Sequence, residues 1–185
     1  VVDRESELNS WVVTGSVNWT YNNLAMDANN LICIQDKSLA KAYTFEFEEM
    51  WGGSSDTPNY DKGLFGSAKK QNSPNKFIID DELVELYFSP SDKTEKHIVE
   101  SLNTADYELS LAMMAFTSDA LGQTIRSASE RGVEVFGTID YVEYDSTEYE
   151  LMRKSGADIE GFSNPNGLSW PDAPTIHHKF AVVDY

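Results

Sequence analysis

From Leu83 to Val183, apolar runs of strand length alternate with amphipathic stretches of helix length. That alternation limits the fold more than any other feature of the chain. Leu83–Phe88 reads as a strand ended by Ser89-Pro90, and 95–102 as a helix with Ile98, Val99 and Leu102 inward. Leu109–Phe116 is a strongly apolar strand. Ser118 or a close neighbour then caps a helix carrying Leu121, Ile125 and Ala128 that stops at Gly132, in the position preferred after a helix C-terminus. A strand over 133–139 follows. Asp145 and Glu148 stand at capping-box spacing before a helix closed by Gly156, and further strands are expected at 157–162 and 179–183. Consecutive strands joined through helices pair in parallel, so the class is α/β. An α-β-α sandwich with a largely parallel, mixed central sheet is expected.

The front of the chain is organised differently. WVVTGSVNW, residues 11–19, is a β-branched strand that breaks at Gly15 into a Ser/Asn turn. Leu31–Ile34 reads as a short buried strand, with Cys33 a small buried hydrophobe inside it. Asp36 caps a helix whose apolar stripe is Leu39, Tyr43, Phe47, Met50 and Trp51. Between 52 and 79, Gly, Ser, Pro and Asn crowd together without periodicity, which reads as a linker between residues 1–51 and 80–185.

Composition narrows the functions. The 31 acidic residues outnumber 14 basic ones for a net charge of −17, which disfavours sequence-independent nucleic-acid binding through the bulk surface. A local cationic pocket stays compatible with it. No apolar run approaches the roughly 20 residues that span a bilayer. One cysteine excludes an intramolecular disulfide, and no cluster of metal ligands is evident, so neither metal nor cofactor is expected. The compartment stays open, with a lean toward a secreted or surface protein.

Chemistry concentrates in IHHKFAVVDY, 176–185. Along a strand, side chains alternate between faces, so His177 and Lys179 share one side and His178 takes the other. An imidazole beside an ammonium at a strand mouth suits an anionic substrate. His177 would attack or shuttle a proton, and Lys179 would hold a charged oxygen. His97, on the helix over 95–102, reads as a surface residue. The chain also opens with Val1-Val2-Asp3, the triplet that recurs as Val182-Val183-Asp184.

His177, Lys179 and Asp184 form H-x-K-x4-D, and Gly15-Ser16-Val17-Asn18 stands about a dozen residues after Asp3. Together with the helix ending at Met50-Trp51, these motifs resemble the phospholipase D superfamily. The resemblance implies a lobe in permuted order. Asp3 would close one motif whose His and Lys lie upstream, and His177–Asp184 would open the next. It further implies a phosphohistidine mechanism. His177 is then nucleophile or acid/base, Lys179, Ser16 and Asn18 bind phosphate, and Asp184 and Asp3 support the strands. The second histidine comes from a second lobe or a homodimer partner. Relatives usually carry a Glu where Asn29 stands, and an amide accepts from a ring N–H without supplying charge. The implied substrate is a phosphodiester. A phospholipid is the leading reading, and a nuclease of the same superfamily or a non-catalytic lobe that binds phosphate or protein are the alternatives. Whether the chain closes as one permuted lobe or as a swapped dimer is open.

Overall fold

A computed structural model describes residues 1–140, 147–162 and 173–185. The chain forms two compact units, Val1–Thr14 with Ile32–Thr94, and Gly15–Leu31 with Glu95–Tyr185.

In the first unit, β1 (Trp11–Gly15) pairs with β2 (Leu31–Gln35). Val2 exchanges both backbone hydrogen bonds with Trp11, at 2.9 and 3.0 Å. The loop between the two strands carries the one-turn helix α1 (Tyr21–Ala25) and belongs to the second unit. Helix α2 (Lys37–Trp51) starts where Asp36 Oδ1 accepts the Leu39 N–H at 2.6 Å, and stops at Gly52 with φ 84°. Its inner face places Leu39, Ala40 and Ala42 against Val12 and Phe77.

Three sequence expectations change here. Leu31 and Ile32 are half exposed and Cys33 is exposed, because a two-stranded ribbon brings only Ile34 onto the α2 core. Phe47 is likewise exposed. This core reaches along the helix only as far as Tyr43, and Phe47 stacks instead on Trp51, centroids 5.2 Å apart. The strand read as Leu83–Phe88 is the shorter β4 (Glu82–Glu85). It pairs antiparallel with β3 (Lys76–Ile79), from the stretch read as linker. The hairpin turns through Asp80 and Asp81, both at positive φ (51° and 67°). Asp tolerates that conformation, yet Asp-Asp signals a hairpin less plainly than Asn-Gly or Asp-Gly does.

The second unit holds α3 (Thr94–Leu102), β5 (Glu108–Met113), α4 (Asp119–Glu130), β6 (Glu134–Ile139), α5 (Tyr149–Lys154), β7 (Asp158–Gly161) and β8 (Lys179–Val183). The sheet order is β7-β6-β5-β8. β5, β6 and β7 run parallel and β8 antiparallel to β5, with α4 and α5 packed on the sheet. Leu109, Leu111, Val135, Ile139 and Ile159 of the strands meet Leu102, Ile125, Ala128 and Met152 of the helices. Truncating such a side chain to Ala typically costs about 2–5 kcal/mol. Ser118 caps α4 through Leu121 N–H (3.3 Å), and Gly132 and Gly156 close α4 and α5 at positive φ.

Two further expectations change in this unit. On α3 only Leu102 is buried and Ile98 is exposed, since a nine-residue helix meets the core through its last turn. Asp145 lies outside the described residues. Glu148 makes no side-chain cap bond, because its carboxylate is buried against the Arg126 guanidinium.

The Asp residues that close the two Val-Val-Asp triplets share a sign of φ. Asp3 has φ 47° and Asp184 φ 50°, both left-handed. Asp184 shows what that turn achieves. Its carboxylate accepts the backbone N–H groups of Asp106 (2.9 Å), Tyr107 (2.8 Å) and Glu108 (2.9 Å), which fastens the end of β8 to the start of β5. The N–H donors of Glu108, then Asp106 and Tyr107, hold the carboxyl below its ordinary range. A lowered folded-state pKa contributes stability that is present above the unfolded value and lost as pH falls through the folded one. Asp184→Asn keeps the left-handed turn and removes the charge. Its thermal midpoint should lie below the parent's at neutral pH, and the gap should close on acidification below about pH 4. A gap that persists unchanged to strong acid would assign the loss to geometry rather than to charge.

Candidate active site

Gly15 is the first element of the site. A Cβ there would fall on the carbonyl oxygen of Asn30, and φ is 149°, so glycine lets the two ends of the loop close. The Ser16 N–H then donates to the Asn30 carbonyl at 3.1 Å. The Ser16 hydroxyl accepts the Asn30 N–H at 3.1 Å. It donates to Asn29 Oδ1 (3.1 Å) or Asn30 Oδ1 (3.0 Å), one hydrogen serving one of them at a time.

The Asn29 amide has a defined orientation. Its nitrogen donates to the carbonyls of Asn23 (2.8 Å) and Asp27 (3.3 Å), which turns its oxygen toward Ser16 and His177. His177 Nδ1 lies 2.7 Å from the Ser16 carbonyl oxygen and 3.2 Å from Asn29 Oδ1. Both neighbours are acceptors, so Nδ1 carries the proton and Nε2 of the neutral ring keeps its lone pair. The structure thus joins Ser16, Asn29 and His177 within one unit, 148 residues of chain separating the last two.

The chain entering β8 is held at three successive amides. Thr175 N–H donates to Asp27 Oδ1 (3.0 Å), Ile176 N–H to Asp140 Oδ2 (2.9 Å), and His177 N–H to the Ala28 carbonyl (2.9 Å). Neither Asp27 nor Asp140 was legible as a site residue. Asp27 follows α1 and Asp140 follows β6, and carboxylates at such points read as solvated.

Lys179 is the first residue of β8, and His177 precedes the strand. The Lys179 Nζ donates to the His177 carbonyl at 2.8 Å and touches Met114 Sδ at 3.6 Å. Burial pushes its ammonium pKa down. His178 faces elsewhere. Its Nδ1 lies 3.3 Å from Asn30 Oδ1, its ring meets Phe180 edge-on at 5.1 Å, and burial, then Lys179 and His177, lower its pKa. His97 lies on α3, 3.0 Å from a Glu100 oxygen.

His177 opens onto a cavity of about 420 Å³ shared with Asn18, Thr20, Tyr21, Asn23, Asp27, Met114 and Thr175. Asn18 is fixed by its own N–H, which donates to Asn23 Oδ1 at 3.0 Å. A larger cavity of about 710 Å³ belongs to the first unit, lined by Asp3, Arg4, Glu5 and Phe47 among others. It carries neither imidazole nor amide, so the chemistry points to the smaller one. Asp3 is in the first unit, where its carbonyl accepts from Ser6 N–H and Ser10 Oγ, both at 2.8 Å. Among the described residues no group of three or more His, Cys, Asp or Glu side chains is placed to hold a metal ion, and no helix is long and apolar enough to cross a membrane.

Comparison with known proteins agrees with the motifs. The family described as "Cardiolipin synthase, PLD-like domain" matches residues 1–51, the part that contains G-S-x-N. Human mitochondrial cardiolipin hydrolase is 30% identical over 89 residues, 47% of this chain and 32% of that protein. The mouse protein of the same name is 29% identical over 96 residues, 51% of this chain and 40% of that protein. The matched stretch is thus well under half the length of these relatives. The paired motifs, the mixed sheet and these matches together support membership of the phospholipase D superfamily.

Proposed function

We propose that the chain forms part of a phosphodiester hydrolase in which His177 attacks phosphorus through Nε2. The observation that carries this reading is the 2.7 Å contact between His177 Nδ1 and the Ser16 carbonyl, which leaves the other ring nitrogen free as a nucleophile beside Asn18. The Nε2–P bond forms as the P–O bond to the leaving group breaks. A second imidazole, from another lobe or another copy of the chain, protonates that oxygen. The same imidazole then takes a proton from water, which opens the phosphohistidine and returns His177. Lys179 and Asn18 supply a cation and an amide to the phosphoryl oxygens, where preorganised donors are worth most. Ser16 contributes mainly its carbonyl, since its hydroxyl is committed to Asn29 and Asn30. Asp184 and Asp3 act on strands rather than on substrate.

A phospholipid is the proposed substrate. The relatives carry cardiolipin in their names, and a net charge of −17 weighs against a polynucleotide. The first test is hydrolysis of a phosphatidyl ester and of single-stranded DNA by the same preparation, with His177→Ala as control. Losing a nucleophile costs about a hundred-fold or more. Specific activity should rise with protein concentration if a second copy supplies the other imidazole. Phosphate binding with no turnover at any concentration would replace this reading with the non-catalytic one.

Two site variants probe the charges. Lys179 acts as an ammonium, and burial lowers its pKa, so kcat/KM should decline on the alkaline side below the ordinary lysine range. Lys179→Arg, which stays charged, should move that limb upward, and an unchanged profile would remove Lys179 from the step. Asn29→Glu places a carboxylate at the ring and should preserve or raise kcat. A large loss in a folded variant would show that the amide is required.

A further inference from the structure

The hydrogen bonds around Asp27 connect the two sides of the site. The Asn18 N–H donates to Asn23 Oδ1 (3.0 Å), and Asn23 Nδ2 donates to Asp27 Oδ2 (2.6 Å). Asp27 Oδ1 accepts the Thr175 N–H (3.0 Å), two residues before His177. The return path is backbone. Ala28 N–H donates to the Thr175 carbonyl and the His177 N–H donates to the Ala28 carbonyl, each at 2.9 Å. Every donor in this chain has one acceptor and the directions are fixed. The Asn18 amide demands an oxygen from Asn23, so Asn23 must offer its nitrogen to position 27, and position 27 must accept on both atoms. A carboxylate does so, and an amide in the same place does not.

We propose that Asp27 is a positioning residue that sets the distance between the Asn18 and His177 sides of the phosphoryl site. This rests on the reading of His177 and Asn18 given above, and it assigns Asp27 no contact with the reacting atoms. The ring loses a carboxylate partner at Asn29, and Asp27 holds the loop and the strand entry that seat the ring. Displacements near 1 Å in a phosphoryl-transfer site cost on the order of a hundred-fold in rate.

The polarity of the Asn23–Asp27 bond provides the test. Asp27→Asn sets two amide nitrogens against each other, and Asn23→Asp sets two carboxylates against each other. The double variant reverses the bond. The carboxylate at 23 accepts from Asn18 and from the new amide nitrogen, while the amide oxygen at 27 accepts from Thr175. Net charge and side-chain volume match those of the parent.

Two readouts are taken on parent, both single variants and the double variant. Long-range ¹⁵N–¹H spectra of the imidazoles, with His177 assigned by its loss in His177→Gln, report the ring tautomer without any substrate. Steady-state hydrolysis of bis(p-nitrophenyl) phosphate reports kcat and KM. The expected result is a single Nδ1–H tautomer in parent and double variant and an averaged signal in Asp27→Asn. With it, kcat should fall about ten- to a hundred-fold in Asp27→Asn, KM should change less, and kcat should return to within about three-fold in the double variant. Should Asp27→Asn fail to fold, recovery of the fold and the tautomer in the double variant supports the proposal. An Asp27→Asn spectrum identical to the parent's, or a double variant no better than Asp27→Asn, overturns it. A parent that shows the expected spectra but hydrolyses nothing sinks the hydrolase reading and leaves the positioning role supported.

Discussion

The seating of β8 against β5 is the constraint on which the site depends. β8 runs antiparallel to its neighbour in a sheet whose other strands are parallel, and Asp184 fixes its far end by accepting three consecutive backbone N–H groups. A strand pinned at Asp184 and laddered from Lys179 to Val183 has one register. That register fixes which face Lys179 takes and where the chain emerges at His177. A slip of one residue would exchange His177 for His178 on the cavity side.

The same economy appears at the other end of the strand. Three consecutive amides, Thr175 to His177, each have a defined acceptor, and the imidazole is oriented by a main-chain carbonyl rather than by a carboxylate. Orientation and charge are separable duties of a catalytic histidine's partner. A carbonyl and an amide oxygen perform the first. Among the described residues, the groups within hydrogen-bond reach of Nδ1 are these two neutral oxygens, which do not supply the second, stabilisation of imidazolium.

Much of the second unit was legible in the residues. Apolar runs of strand length marked β5 to β8, and Ser118 and Gly132 marked the ends of α4. The first unit was less legible, because its small core leaves Ile32, Phe47 and much of β2 in solvent, where apolar periodicity overstates burial. The β3–β4 hairpin escaped because Asp80-Asp81 carries the required positive φ without the usual glycine. Asn23, Asp27 and Asp140 escaped for another reason. Each is an ordinary polar residue in sequence, and only its acceptor geometry toward segments as much as 148 residues away marks it.

By itself, the sequence determined the α/β class, the strand that begins at Lys179, and the resemblance carried by G-S-x-N and H-x-K-x4-D. Those follow from side-chain periodicity and short spacings, which are local. Tertiary structure alone decided that β8 lies antiparallel beside β5, that Ser16 offers His177 its carbonyl and keeps its hydroxyl for the loop, and that two carboxylates hold the strand entry. The reason is that hydrogen bonds between distant segments are selected by the direction of each donor and acceptor after the chain has folded. Direction of that kind has no period along a sequence.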